Sequence, residues 1–328
     1  MALAQEIVSL VRSVVGPGNK QLHKPDIGWR EMQYVNEAMT SGYVADGPFI
    51  KRFEDKLCEV TGARYAVAVS SGTAALHLAM RDAFVKDARD FRRDCVLPSL
   101  TFIATANAAT YCGLELRFSD DIPSVTVDIL GRVRPERFGV LVEDACQALG
   151  SKGAGRQGVL ACFSFNGNKI CTTGGGGAVV TDDAHAAARV RHLATQAKDP
   201  SDRMSHDAIG FNYRMPNLNA ALGLAQLERL PEFLERKQRL ADRYERALGE
   251  LFWKPPAGSN NWLNAIRVPK GERDNVLKAL NDAGYESRSL HTPLHLLPIY
   301  AGFPREDMSR TEAMWNTTVC LPSGAGLA

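Results

Sequence analysis

Residues 159–180 read VLACFSFNGNKICTTGGGGAVV, and a single lysine, Lys169, stands there between an apolar strand-like run and four consecutive glycines, Gly174 to Gly177. A lysine in a loop is ordinarily a solvated surface charge. Here the run before it favours a buried strand, and the glycines strip away side chains so that backbone can pass close to another group. An amine in such a cramped, partly dry place loses pKa, and its neutral form attacks a carbonyl carbon to give a Schiff base. A nucleophilic Lys169 needs partners elsewhere in the chain.

Three further stretches and a hydroxyl in its own stretch offer them. Tyr65 to Val69 predicts a strand, Ala74 to Met80 opens a helix, and Ser70-Ser71-Gly72-Thr73 makes the turn between them. Free N–H groups and hydroxyls at a helix start suit a phosphate, although Ser71 or Thr73 equally suits a plain helix cap. Phe102 follows the strand-like run at 95–98, where open α/β sheets place ligands; a core aromatic is the alternative. Val140 to Val142 predicts a buried strand that ends in Glu143 and Asp144. That acidic pair either binds a nearby base such as Lys152 or Arg156, or stabilises a cationic ligand. Ser164 adds a hydroxyl just before Lys169. Together these match what pyridoxal phosphate requires: an amine for its aldehyde, a carboxylate for its pyridine nitrogen, an aromatic face, and N–H groups with hydroxyls for its phosphate. The loop 41–48, with Tyr43, is either a connector or a substrate contact. His291 and His295 are candidate substrate contacts, or structural histidines, since neither has acidic or cysteine neighbours in sequence.

The elements that must position these groups alternate between strand and helix, which argues an α/β fold with a mainly parallel sheet. The spacing also predicts helices over 27–40, 49–61, 103–111, 184–195 and 218–230. A long helix starting at Pro231 would bridge to a second, smaller α+β domain. The expected division is a large cofactor-binding domain over 1–235 and a small domain over 236–328. The 120–137 stretch carries no legible pattern. The bulk numbers exclude other classes. The 328 residues are 45% apolar with a net charge of +2 and no basic stripe, so nucleic acid is not an expected partner. No apolar run is long enough to span a membrane, and the N-terminus lacks signal-peptide character. The seven scattered cysteines fit no metal-ligand spacing and point to a reducing, cytoplasmic setting. A Rossmann glycine fingerprint is missing, which counts against a dehydrogenase.

The stretches SSGTAALHLAM, LPSLTFIATANAATYCG, VEDACQALGS, FSFNGNKICTTGGGGAVVTDD and GFNYRMPNLNAALGLAQLE resemble the DegT/DnrJ/EryC1/StrS family of sugar-nucleotide aminotransferases over nearly the whole chain. The N-terminal helix, HKPDIGWREMQYV and FNGNK with TTGGGG are most similar to the branch acting on UDP-4-keto-6-deoxy-N-acetylhexosamines. The resemblance implies a fold-type I pyridoxal phosphate enzyme, a cytoplasmic homodimer with shared active sites, that moves an amine from L-glutamate to the C4 keto group of a nucleotide sugar. It further implies that Lys169 is the Schiff-base lysine and proton carrier. Asp144 would pair with the pyridine nitrogen, Gln147 would sit near the phenolic oxygen, and Phe102 would stack on the ring. Gly72, Thr73 and Ser164 would hold the phosphate, with Asn212 reaching it from the partner subunit. Tyr43 stands where relatives often carry another aromatic and so bears on sugar recognition. Alternatives on the same scaffold are GDP-4-keto-6-deoxymannose amination, dehydration, or a role without turnover. Residues 119–139 are expected to lack a strand and helix that relatives carry, and a terminal helix is expected to be missing after LPSGAGLA.

Overall fold

The computed structural model describes residues 2–85, 94–121, 123–133, 139–199, 201–202 and 204–328. The helices Ala2–Val15 (α1), Trp29–Thr40 (α2) and Pro48–Thr61 (α3) precede the first strand, Tyr65–Val69 (β1). Then follow Gly72–Phe84 (α4), Asp94–Leu97 (β2), Ala104–Tyr111 (α5), Glu115–Phe118 (β3) and Val125–Val127 (β4). Val142–Asp144 (β5), Leu160–Ser164 (β6), Gly177–Thr181 (β7) and Ala184–Ala194 (α6) complete this part.

The main sheet has the order β1-β7-β6-β5-β4. β4, β5 and β6 pair in parallel, while β7 is antiparallel to both β6 and β1. Four strands therefore run one way and β7 alone runs back, so the sheet is mainly parallel, as the alternation of elements implied. β2 and β3 form a separate parallel pair, with β2 beside β4. Strand β4 falls within 119–139, where a strand was expected to be missing. Three residues, Val125, Thr126 and Val127, are too short a run to show a period, yet all are buried. Residues 122 and 134–138 of that stretch lie outside the described residues.

Side-chain alternation divides the core into two layers. Val67, Val69, Val142, Leu160, Cys162 and Val179 face α4, α5 and α6. Ala66, Ala68, Ala161, Phe163, Ala178 and Val180 face α3 and the next helix, Asn217–Leu248 (α7). That helix departs from expectation too: Pro231 lies inside it rather than starting a new one. The proline removes one backbone donor, but Leu227, Leu230 and Phe233 are buried on both sides of it, and their packing carries the helix through.

The remaining elements are Ala265–Arg267 (β8), Arg273–Asp282 (α8), Arg288–Ser289 (β9), Ser309–Thr317 (α9) and Thr318–Cys320 (β10). β10 lies between β8 and β9, antiparallel to both, so this smaller unit is α+β. Position 235 falls inside α7, which serves both units. α1 was expected in the large unit, but its Ile7, Val8 and Val11 pack with Tyr244, Ile266, Val276 and Val319, in the core of the small one. Amphipathicity gave α1 an apolar face without saying which core would take it.

Candidate active site

β1, β5 and β6 run in one direction, so their C-terminal ends share one edge of the sheet, and β7 begins at that edge because it runs back. In register, Gly177 sits opposite Val69 on one side and Ser164 on the other. A Cβ at Gly177 would overlap the Ser71 carbonyl, and one at Gly72 would come within 2.8 Å of Ser164 Cβ and 3.1 Å of Cys146 Sγ. These glycines let three backbone segments meet around one point and leave the start of α4 bare. Ser71 caps that helix, its hydroxyl accepting from Ala74 N at 3.0 Å.

A cavity of about 290 Å³ opens at this edge. Gly72, Thr73, Phe102, Asp144, Gln147, Ser164 and Lys169 all line it. Strand alternation separates the acidic pair. Glu143 points away and accepts from Gly155 N and Gln157 N, both at 2.7 Å. Asp144 faces the cavity, where it accepts from the Thr105 hydroxyl at 2.6 Å and Cys146 N at 3.1 Å. Arg156 binds Asp182 at 2.8 Å instead of the acidic pair. Gln147 accepts from Leu130 N at 2.8 Å, which fixes its amide at the cavity wall. Phe102 is 50% exposed, so its ring is available to a ligand and is not a core aromatic.

Burial is the main cause that lowers the Lys169 pKa; Cys146 and Asp144 oppose it and Arg288 reinforces it. The amine lies 4.3 Å from the centroid of the Trp262 ring, whose Nε1 donates to the Asn168 carbonyl at 2.8 Å. His291 also lines the cavity, its ring centroid 5.1 Å from that of Phe102. Burial, together with the charges of Arg288 and Lys169, drives its pKa to about 3, so it is neutral at pH 7. Arg288 reaches the cavity with its Nε buried and without a hydrogen bond, and among the described residues no carboxylate pairs with it.

Three expected site residues are elsewhere. His295 is buried, bonded through Nδ1 to the Ser99 hydroxyl at 2.7 Å and through Nε2 to Glu312 at 3.1 Å. With both ring nitrogens engaged it ties structural segments together and does not line the cavity, whereas His291, the other histidine named from the sequence, does. Asn212 and Tyr43 are exposed and do not line the cavity of their own chain. Trp262 and Arg288 were missed by sequence reasoning, because they come from strand-like runs of the small unit where nothing marks them as facing Lys169. Among the described residues no group of histidine, cysteine and acidic side chains could hold a metal, and no helix is long and apolar enough to cross a membrane.

The profile of the DegT/DnrJ/EryC1/StrS aminotransferase family matches residues 25–131 and 135–328. The chain is 35% identical to the GDP-perosamine synthase of Caulobacter vibrioides, over 92% of this chain and 92% of that one. It is 34% identical to EpsN of Bacillus subtilis, over 93% of this chain and 91% of that one. Its structure is similar to that of the aminotransferase TlmJ from Streptoalloteichus hindustanus, with a TM-score of 0.84, 27% identity and 95% of each chain covered.

Proposed function

The chain belongs to the DegT/DnrJ/EryC1/StrS aminotransferase family, and from that premise we propose that it moves an amino group from L-glutamate to the C4 keto group of a nucleotide-linked 4-keto-6-deoxy sugar. It is a sugar-nucleotide transaminase whose cofactor is pyridoxal phosphate. The observation that carries the finer reading is the convergence of Lys169, Asp144, Phe102, Gly72, Thr73, Gln147 and Ser164 on one cavity.

The residues fit the cofactor. Gly72 leaves room at the start of α4 where a Cβ would crowd Ser164, and the helix N-terminus there favours a phosphate. Thr73 and Ser164 add hydroxyls. Asp144 would hold the pyridine nitrogen, with Thr105 and Cys146 N fixing its carboxylate. When bound, pyridoxal phosphate supplies an aldehyde for the donor's amine and a conjugated ring that accepts electrons. Lys169, whose lowered pKa leaves more of its amine neutral and free to accept a proton, takes the proton from the donor's α-carbon and later returns a proton to the sugar's C4 side. Arg288 offers a cation with an unbonded Nε to a carboxylate of the donor, and neutral His291 keeps that charge from being doubled. We further propose a homodimer in which Asn212 and Tyr43 reach the partner's cavity, because both are exposed and outside their own.

For the nucleotide, sequence features favour a UDP-linked 2-acetamido-2,6-dideoxy-4-ketohexose. The GDP-perosamine synthase of Caulobacter vibrioides, at 35% identity, favours GDP-4-keto-6-deoxymannose as a second substrate to test. The experiment is an absorbance spectrum of the purified protein with added cofactor, before and after L-glutamate, with Lys169→Ala alongside, followed by both keto sugars under the same conditions. A visible band that bleaches with glutamate, disappears in the variant, and leads to an amino sugar supports the reading. A wild-type protein that stays colourless with added cofactor, or bleaches but aminates neither sugar, overturns it.

A further inference from the structure

Lys237, in the middle of α7, is wholly buried. Its amine lies 3.1 Å from His23 Nε2, 3.1 Å from the Trp262 carbonyl and 2.5 Å from the Ser323 carbonyl. None of these partners is an acid, and an ammonium in such a place is costly to bury. An apolar side chain would be the cheaper filling, so the lysine contributes something other than packing. What it contributes is geometry: one helix position gathers three segments that are far apart in sequence.

One of those segments reaches the active site. Trp262 N donates to Asn260 Oδ1 at 2.9 Å, its indole donates to the carbonyl of Asn168, next to Lys169, and its ring lies under the Lys169 amine. Lys237 holds the same residue by its carbonyl. We propose that Lys237 is a positioning residue, which by fixing the Trp262 carbonyl seats the indole against Lys169 and keeps water off its amine. Its bearing on catalysis rests on the assignment of Lys169 as the cofactor lysine. The contact that links Lys237 to Lys169 is Trp262, held by its carbonyl on one side and lying under the Lys169 amine on the other. His291 and His23 also feel the Lys169 charge, and both are held neutral by burial.

The test compares wild type with Lys237→Met, Trp262→Leu and the double variant, all checked for folding by thermal melts. Two pH profiles are read. One is capture of added pyridoxal phosphate, in which the Lys169 amine condenses with the aldehyde and releases water. The other is reductive methylation of Lys169 by formaldehyde and cyanoborohydride in the cofactor-free protein, quantified by peptide mass. Burial is the largest cause lowering the amine's pKa, so admitting water raises the midpoint in both profiles. In Lys237→Met a rise of about one unit makes capture at pH 7 about tenfold slower. Trp262→Leu shifts the midpoint the same way, and the double variant goes no further. If Lys237→Met fails to fold, Lys237→Gln, which keeps an N–H donor, is measured for a smaller shift in the same direction. A folded variant with the wild-type midpoint, or a double variant whose shift is the sum of the two, overturns the proposal. If methylation shifts as expected but wild type never captures the cofactor, the functional reading fails and this one stands.

Discussion

At the scale of single residues, burial sets the chemistry. Asp144 has its two oxygens fixed by the Thr105 hydroxyl and Cys146 N, so Asp144→Asn keeps the shape and removes the charge. The expected result is a protein that melts like wild type and transaminates at least about a hundredfold more slowly, as when one preorganised electrostatic group is lost; a rate near wild type would remove Asp144 from the mechanism. Lys237 has the opposite problem: its burial pushes the pKa down to about 7 from 10.5. Between those values the unfolded chain binds a proton that the folded protein does not, so folding becomes more favourable as pH rises through that window. The slope approaches about 1.4 kcal/mol per pH unit. Below pH 7 both states are protonated and the term is flat. Denaturant titrations of wild type and Lys237→Met from pH 7 to 10 check this. Wild type is expected to gain stability relative to the methionine variant towards pH 10, and a difference that stays constant with pH would remove the shift from Lys237.

At the scale of elements, the return strand β7 makes the site possible, because its first residue must pass between Val69 and Ser164. Gly177→Ala would drive a methyl into the Ser71 carbonyl, which is backbone and cannot rotate away. We expect a loss of about 1–3 kcal/mol, seen as a lower Tm, together with weaker cofactor capture because the Ser71–Gly72 turn is displaced. An unchanged melt would mean that the turn yields freely. The run of glycines is thus legible in sequence as a place of close approach, but the object it approaches is the β1–α4 turn, about a hundred residues earlier in the chain. Pro231 teaches the reverse lesson: a local signal for a helix start was overridden by burial of Leu227, Leu230 and Phe233 on either side, which carries one helix through it.

At the scale of the whole molecule, the cavity lies between units, with Trp262, Arg288 and His291 closing it from the side of the small sheet. The exposure of Asn212 and Tyr43 supports a dimer in which each subunit completes the other's site. Mixing inactive Lys169→Ala subunits with Asn212→Ala subunits tests this. Exchange should restore part of the activity, since half of the mixed dimer's sites then carry both native residues. No recovery after verified exchange would show that Asn212 acts within its own chain or not at all.

The sequence by itself determined the local chemistry: a lysine beside a glycine run, hydroxyls at a helix start, and an aspartate at a strand end are each written in consecutive residues. It also determined the alternation of elements, and with it the shared edge of parallel strands on which those residues converge. Only the tertiary structure decided which of two histidines faces the cavity, that α1 joins the small core, and that Trp262 and Arg288 meet Lys169. The physical reason is the range of the interaction. Caps, turns and periodic faces are set by neighbours within a few residues, while burial, desolvation and the seat of a charge depend on packing between segments that only the folded chain brings together.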